Sequence, residues 1–291
     1  MIEESVPLSR FTTLGTGGPA RWFAKPQTLD DLTAALEWAE ERDVPVAVVG
    51  LGSNLLVADE GVDGLVLKLG GELAGAATED HRLVAGGGAP LAVCLHRARA
   101  ASLGGFEFAC AIPGTVGGGV KMNAGAYGGD IAAVLERALV VSAEGAEWRT
   151  PVELGLEYRR SGLGEGEVVA QAEFALASRP AEEIKATVTE MQAQRKAAQP
   201  TNKRTFGSVF KNPEHELTAG KMLEACGLRG HRVGGAQISP RHANFIENAD
   251  GARSDDAIEL MAEARRRALE EFGVTLEHEV QLLGSLVLPP A

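Results

Sequence analysis

Two glycine-rich segments hold the residue types in this chain best suited to chemistry. The first, Val46-Ala47-Val48-Val49-Gly50-Leu51-Gly52-Ser53-Asn54, runs from an apolar stretch into a tight turn. It approaches the dinucleotide fingerprint, which needs a third glycine three residues after the second. Leu55 stands there instead, and no acidic residue follows in the right context, so that reading fails. The turn does gather the Ser53 hydroxyl, the Asn54 amide and several backbone N–H groups, a set suited to a pyrophosphate. On this segment alone, a plain strand-to-loop turn accounts for the same residues.

The second segment is denser. Ile112-Pro113-Gly114-Thr115-Val116-Gly117-Gly118-Gly119-Val120 continues as Lys121-Met122-Asn123-Ala124-Gly125-Ala126-Tyr127-Gly128-Gly129. Glycine loses more backbone entropy on folding than any other residue, so this density is costly unless the backbone must approach something closely. A flexible linker is the other reading, but linkers are polar and Ile112, Val116, Val120 and Met122 are not. Two separated glycine loops suit a large phosphate-bearing cofactor better than a single phosphate.

The elements that must position these loops alternate between helix and strand. Thr28 followed by Asp31 predicts a capped helix with Leu29, Leu32, Leu36 and Ala39 on one face. Val44–Val49, Leu65–Leu69, Arg82–Ala85, Ala138–Val141 and Val168–Ala170 read as strands. Pro90 opens a helix that Gly104-Gly105 is expected to close, and 112–129 reads as loop. A polar helix from Glu182 to Gln199 stops at Pro200 and reads as a hinge between two domains. Beyond it come a short helix near 218–226, a strand around 242–247, and a helix capped by Ser254 and ended by Gly273. From Val274 to Leu283 apolar and polar residues alternate as in a half-buried strand, with Glu277 and Glu279 on the polar face.

Composition narrows the function. With 291 residues, two or more packed units are expected. The formal net charge of -12 argues against a nucleic-acid partner, whose affinity rests on Lys and Arg against phosphates. An anionic small molecule needs only a few local cations. The N-terminal residues lack a basic region followed by an apolar run, and no stretch reaches the roughly 20 apolar residues that span a bilayer. Neither a signal peptide nor membrane insertion is expected. Cys94, Cys110 and Cys226 lie far apart, fitting neither a disulfide framework nor a zinc site, so no metal is expected and the cytoplasm is the predicted location.

Further motifs complete a pattern that covers almost the whole chain: Thr12-Thr13-Leu14-Gly15-Thr16-Gly17-Gly18-Pro19-Ala20, Tyr158-Arg159-Arg160-Ser161, Gly207-Ser208-Val209-Phe210-Lys211-Asn212-Pro213 and Leu276-Glu277-His278-Glu279-Val280. Each is weak alone. In this order, together with both glycine loops, they make the chain closely resemble the UDP-N-acetylenolpyruvoylglucosamine reductase (MurB) family.

The resemblance implies an α+β protein. A two-part FAD-binding domain of the vanillyl-alcohol-oxidase (PCMH) type would span 1–180, in lobes of about 1–70 and 71–180. A connecting helix at 181–199 and a C-terminal α/β substrate domain at 200–285 would follow. It also implies an oxidoreductase of peptidoglycan synthesis, and so of cell-wall biogenesis, cell shape and division. Hydride would pass from NADPH through FAD to the enolpyruvyl group of a UDP-sugar. Cofactor contacts would come from Gly50, Gly52, Ser53, Asn54 and Leu55, and from Pro113, Gly114, Thr115, Gly117, Gly118, Asn123, Gly125 and Ala126. The chain resembles the short form of the family, without the inserted segment that carries a substrate-binding Tyr. Its two tyrosines, Tyr127 and Tyr158, fall inside other motifs.

By the same resemblance Arg159, Ser208 and Glu279 are the catalytic residues. Arg159 would stabilise the enolate formed by hydride transfer through charge-assisted hydrogen bonds. The local sequence does not choose between Arg159 and Arg160, and the motif does. Ser208 would donate the proton, with Lys203, Arg204 and Lys211 nearby to ease its transient loss. Glu279, an anion that would repel an enolate, is expected protonated or paired with Arg159. Lys196, Lys211, Asn212 and His242 align with substrate contacts. None of the six histidines lies inside either glycine loop, so FAD is expected to be non-covalent, and the protein a monomer or weak oligomer. A different FAD oxidase would share the glycine loops but not the Ser208 and Glu279 motifs. A nucleotide-sugar binding protein without flavin would lack the colour.

Overall fold

The computed structural model describes residues 2–291, and its helices mostly start and stop where the chain supplies caps. Helix α1 (Leu29–Glu40) begins at Thr28, whose hydroxyl accepts from the Asp31 amide while the Asp31 carboxylate accepts from the Thr28 amide. Two otherwise orphaned donors are thereby satisfied. Helix α2 (Leu91–Ala100) follows Pro90, as expected, but ends early. Ser102 takes the left-handed conformation (φ 57°) that closes it, and the Gly104 backbone pairs instead with Ala177.

The 112–129 segment is more regular than its glycines imply. It contains helix α3 (Val116–Lys121) and a two-residue hairpin pairing Gly125–Ala126 with Gly129–Asp130. Thr115 caps the helix through the Gly118 amide, and Val116 and Val120 are fully buried beneath it. Packing is close at Gly117: its amide donates to the Gly87 carbonyl at 2.7 Å, and a Cβ there would sit a tight 3.1 Å from the same oxygen. Helices α4 (Ala181–Ala198), α5 (Ala219–Ala225) and α6 (Ser254–Phe272) complete the set, with Gly273 left-handed (φ 67°) behind the last.

The chain groups into two units, each discontinuous in sequence. One holds 2–4, Trp22–Leu51 and Gly64–Arg195, and the other holds Ser5–Arg21, Gly52–Asp63 and Lys196–Ala291. The contiguous ranges read from the sequence do not anticipate that 5–21 and 52–63 group with the C-terminal residues.

In the first unit an antiparallel sheet runs in the order Gly145–Arg149, Leu135–Ser142, Val168–Ala175, Arg82–Gly86, Ala76–Glu79. A register shift opposite Leu139 and Val140 inserts one extra residue into Val168–Ala175. Strict alternation would send Val169 and Ala172 to opposite faces, and the extra residue lets both join one core with Phe174. Phe106 packs edge-on to Phe174 in that core, with ring centres 5.1 Å apart. A second core lies between α1 and Leu65, Leu67, Val141 and Val168.

The second unit has an antiparallel sheet in the order Thr205–Ser208, Phe245–Asn248, Ala236–Ile238, Arg232–Val233, and a parallel pair of Leu55–Val57 with Gln281–Leu283. Only the last three residues of the expected Val274–Leu283 strand form regular strand. The alternation upstream is nonetheless real, since Leu276 and Val280 are fully buried between exposed Glu277 and half-buried Glu279.

Ser254 is not the cap of α6. It is the first helical residue, buried, with its hydroxyl donating to the Thr16 hydroxyl at 2.8 Å. The capping acceptor is Asp59, whose carboxylate receives the Ser254 amide at 2.9 Å and the Asp255 amide at 3.3 Å. A carboxylate from the 52–63 segment thus neutralises the positive end of α6 and pins that segment to it. Asp59→Ala should lower unfolding stability by about 1–2 kcal/mol, the loss typical of an N-cap. Asp63→Ala removes only an exposed ion pair with Arg21 and should change stability by less than about 0.5 kcal/mol. Urea unfolding of both variants checks this, and equal losses would remove Asp59 from the capping role.

Candidate active site

In the first unit the two glycine segments touch. A Cβ on Gly50 would lie 2.5 Å from the Thr115 hydroxyl oxygen, so only glycine lets the first turn meet the cap of α3. The Leu91 amide donates to the Gly114 carbonyl at 2.9 Å, anchoring the second segment to α2. A small hollow of about 30 Å³ opens between them, lined by Gly50, Leu51, Gly87, Gly88, Thr115 and Lys68. Lys68 donates to the Gly50 carbonyl at 2.6 Å, and burial, followed by the Lys25 charge, lowers its pKa. The sequence reading passed over Lys68 as part of a strand. A lone cation in an apolar run was the available signal.

These residues fit the phosphate portion of a dinucleotide cofactor. Gly114 and Gly118 have no heavy atom nearer than 3.7 and 3.5 Å to where a Cβ would be, so their backbone is open to approach. Gly50 and Gly125 answer to protein contacts instead: a Cβ on Gly125 would lie 2.7 Å from the Gly129 carbonyl oxygen. Asn123 is also committed to protein. Only 4% exposed, it accepts from the Ala132 amide and donates to the Glu157 carbonyl.

Three non-glycine residues in this neighbourhood adopt left-handed backbone: Asn123 (φ 37°), Tyr127 (φ 52°) and Arg159 (φ 58°). Tyr127 and Gly128 (φ 83°) form the tip of the hairpin, a primed turn that matches the twist of its strands. Strained residues persist only where surrounding contacts over-determine them, and they cluster at functional sites. The structure separates the two arginines that the local sequence could not. Arg159 is half-buried, donates to the Gly125 carbonyl at 2.7 Å and lies 4.9 Å over the Tyr158 ring. Arg160 is exposed and paired with Glu157.

Ser208 and Glu279 lie on adjoining backbone in the second unit. The Glu279 amide donates to the carbonyl of Val209, next to Ser208, at 2.8 Å, and the Lys211 amide donates to the Glu277 carbonyl at 2.9 Å. The first glycine turn continues into this unit and takes part. The Asn54 side-chain amide donates to the Glu279 carbonyl at 3.2 Å, and the Gln281 amide donates to the Asn54 carbonyl at 3.0 Å. Gly207 (φ 83°) places its backbone where a Cβ would come 3.3 Å from the Ser53 carbonyl oxygen, and Leu55 enters the parallel strand pair. Asn244, missed in the sequence, is 3% exposed and grips the Phe210 backbone with both ends of its amide. A polar residue amid Ala243, Phe245 and Ile246 was the clue.

The remaining positions differ in readiness. The Lys211 side chain is only 15% exposed and its ammonium is 2.6 Å from the Glu277 carboxylate, so an incoming phosphate would share or replace that partner. Asn212 is exposed and accepts from the Ala219 amide, and Lys196, Lys203 and Arg204 are exposed. His242 packs against Gly220 and edge-on to Phe245, with Nδ1 accepting from the Asn244 amide. Burial, then the Arg229 charge, lowers its pKa, so the ring is neutral at pH 7 and serves as a hydrogen-bonding group. Among the described residues no group of His, Cys, Asp or Glu is arranged to hold a metal ion, and no helix is long and apolar enough to cross a membrane.

Comparison with known proteins identifies the family. Residues 20–150 match the family described as FAD binding domain, and residues 199–283 match the UDP-N-acetylenolpyruvoylglucosamine reductase, C-terminal domain. The chain is 43% identical over 286 residues to UDP-N-acetylenolpyruvoylglucosamine reductase 2 of Symbiobacterium thermophilum, covering 97% of this chain and 92% of that protein. It is 43% identical over 284 residues to the reductase of Anaeromyxobacter dehalogenans, covering 98% and 85%. The crystal structure of the reductase (MurB) from Thermus caldophilus superposes with a TM-score of 0.85 at 39% identity, covering 97% of this chain and 100% of that one. With both domains matched and such identity along nearly its whole length, the chain belongs to the UDP-N-acetylenolpyruvoylglucosamine reductase family.

Proposed function

We propose that this protein reduces the enolpyruvyl group of UDP-N-acetylglucosamine enolpyruvate to give UDP-N-acetylmuramate, with NADPH as co-substrate and non-covalent FAD, in the cytoplasm. When bound, FAD supplies the hydride chemistry between the nicotinamide and the methylene carbon of the enolpyruvyl ether. The chain supplies charge stabilisation and a proton. Arg159 stabilises negative charge developing on the enolpyruvyl carbon and carboxylate. Ser208 delivers the proton to that carbon, and Glu279 shares in stabilising the enolate with Arg159. Lys196, Lys211, Asn212 and His242 bind the UDP-sugar, and Gly114, Gly118 and Lys68 hold the cofactor phosphates. The observation that carries this reading is the pairing that sets Ser208 and Glu279 on adjoining backbone, braced by Asn54 and Asn244.

Purified protein should be yellow and release its flavin on acid precipitation. A colourless protein that stays colourless with added FAD would sink the flavoenzyme reading, and NADPH consumption that ignores the enolpyruvyl UDP-sugar would point to a different oxidase.

In Ser208→Ala the reduction of flavin by NADPH should proceed at near-normal rate. Reoxidation by the enolpyruvyl substrate should slow by ~10²–10⁴-fold, the usual contribution of a positioned proton donor. Stopped-flow spectroscopy of each half-reaction checks this, and equal slowing of both would make Ser208 a shaper of the pocket.

A further inference from the structure

Lys121 closes α3 in the middle of the second glycine segment, and although the residue is exposed its ammonium is bonded back to the protein. It donates to the Leu163 carbonyl at 2.7 Å, just beyond the Tyr158–Ser161 turn. The Ser161 hydroxyl returns a bond to the Lys121 carbonyl at 2.9 Å. On the near side of the turn the Asn123 amide donates to the Glu157 carbonyl at 3.1 Å, and in the middle Arg159 donates to the Gly125 carbonyl at 2.7 Å. Residues 157–163 are therefore clipped to 121–125 along their length.

Opposing effects act on the ammonium. Burial lowers the Lys121 pKa, while Glu167 and then Glu165 pull it upward. Glu167 is itself bound to Arg149, so its own position is fixed. The Leu163 carbonyl at 2.7 Å gives the partly desolvated ammonium a fixed acceptor. Both strained non-glycine residues beside the clip, Asn123 and Arg159, need such over-determination to hold positive φ.

We propose that Lys121 is a positioning residue for the enolate-stabilising Arg159, locking the Tyr158–Ser161 turn onto the second glycine segment so that the guanidinium has one orientation. This rests on the role assigned to Arg159 under the proposed function.

The test uses the holoenzyme, with both half-reactions followed by stopped flow and amide hydrogen exchange read over 157–163. Arg159→Ala alone should slow flavin reoxidation by about 10²–10³-fold. If it does not, the proposed role of Arg159 fails and the role of Lys121 falls with it. Lys121→Met keeps the stem and removes the donor. It should slow reoxidation by about 10–100-fold, the scale of a small misplacement. The rate of flavin reduction and the FAD dissociation constant should stay unchanged, while exchange over 157–163 rises. Lys121→Arg should restore most of the rate. In the Arg159→Ala background Lys121→Met should add nothing. Additive losses, or equal loss in both half-reactions, would overturn the proposal. Ser161→Ala opens the clip from its exposed side and guards against a Lys121→Met variant that does not fold. Its failure to slow reoxidation or to raise exchange would overturn the proposal as well.

Discussion

At Gly52 the backbone is pressed so closely against the N-terminal segment that a Cβ would lie 1.8 Å from the Phe11 carbonyl oxygen. No side-chain adjustment relieves an overlap with backbone, so glycine is obligatory there. The contact is sealed by the Thr13 amide donating to the Gly52 carbonyl at 3.0 Å, while the Thr13 hydroxyl donates to the Thr205 carbonyl at 2.6 Å. Ser53 and Asn54 follow at once, against Gly207 and the Glu279 carbonyl. The backbone positions of Ser208 and Glu279 thus depend on how tightly one turn is held, far from either residue in sequence.

The glycines divide by what they face. Gly50, Gly52, Gly117 and Gly125 exist for protein packing, each meeting a backbone or side-chain atom where a Cβ would go, while Gly114 and Gly118 leave backbone exposed. Density of glycine signalled close approach correctly, but more of the approaching partners are protein than expected. The cations also divide in a chain of net charge -12. Lys68 is half-buried and bonded to the Gly50 carbonyl, and Lys121 is exposed but bonded to the Leu163 carbonyl, whereas Lys203 and Arg204 are exposed. Local placement, not overall charge, decides where an anion is received.

Much of this was legible in the sequence because it rests on local rules. The Thr28–Asp31 box, the Gly273 stop and the burial of Leu276 and Val280 all follow from spacing. What escaped was set by contacts distant in sequence. Asp59 caps α6, so the Ser at its start was misread as the cap. Ser102 closes α2 in a left-handed conformation that no composition rule favours over a nearby glycine pair. Asn244 and Lys121 look ordinary until their carbonyl and amide partners are known. Motif order pointed to the candidate catalytic residues, Arg159 among them, and the geometry adds that Arg159 is bonded to the Gly125 carbonyl while Arg160 is paired with Glu157.

The parallel pairing of Leu55–Val57 with Gln281–Leu283 sets an order of assembly. Asn54 and Glu279, at the mouth of that pair, are 225 residues apart. On the ribosome the strand carrying Leu56 and Val57, both buried in the finished protein, emerges long before its partner exists. The stretch Gly64–Arg195 can by then have reached its own cores, since its cap, sheet and hairpin contacts are complete within the nascent chain. Pairing of these two strands must therefore wait for the end of synthesis, and it carries the loop-entropy cost of contacts distant in sequence. A chain halted short of Gln281 would hold an apolar strand with an open edge, the kind of surface that invites aggregation and chaperone capture.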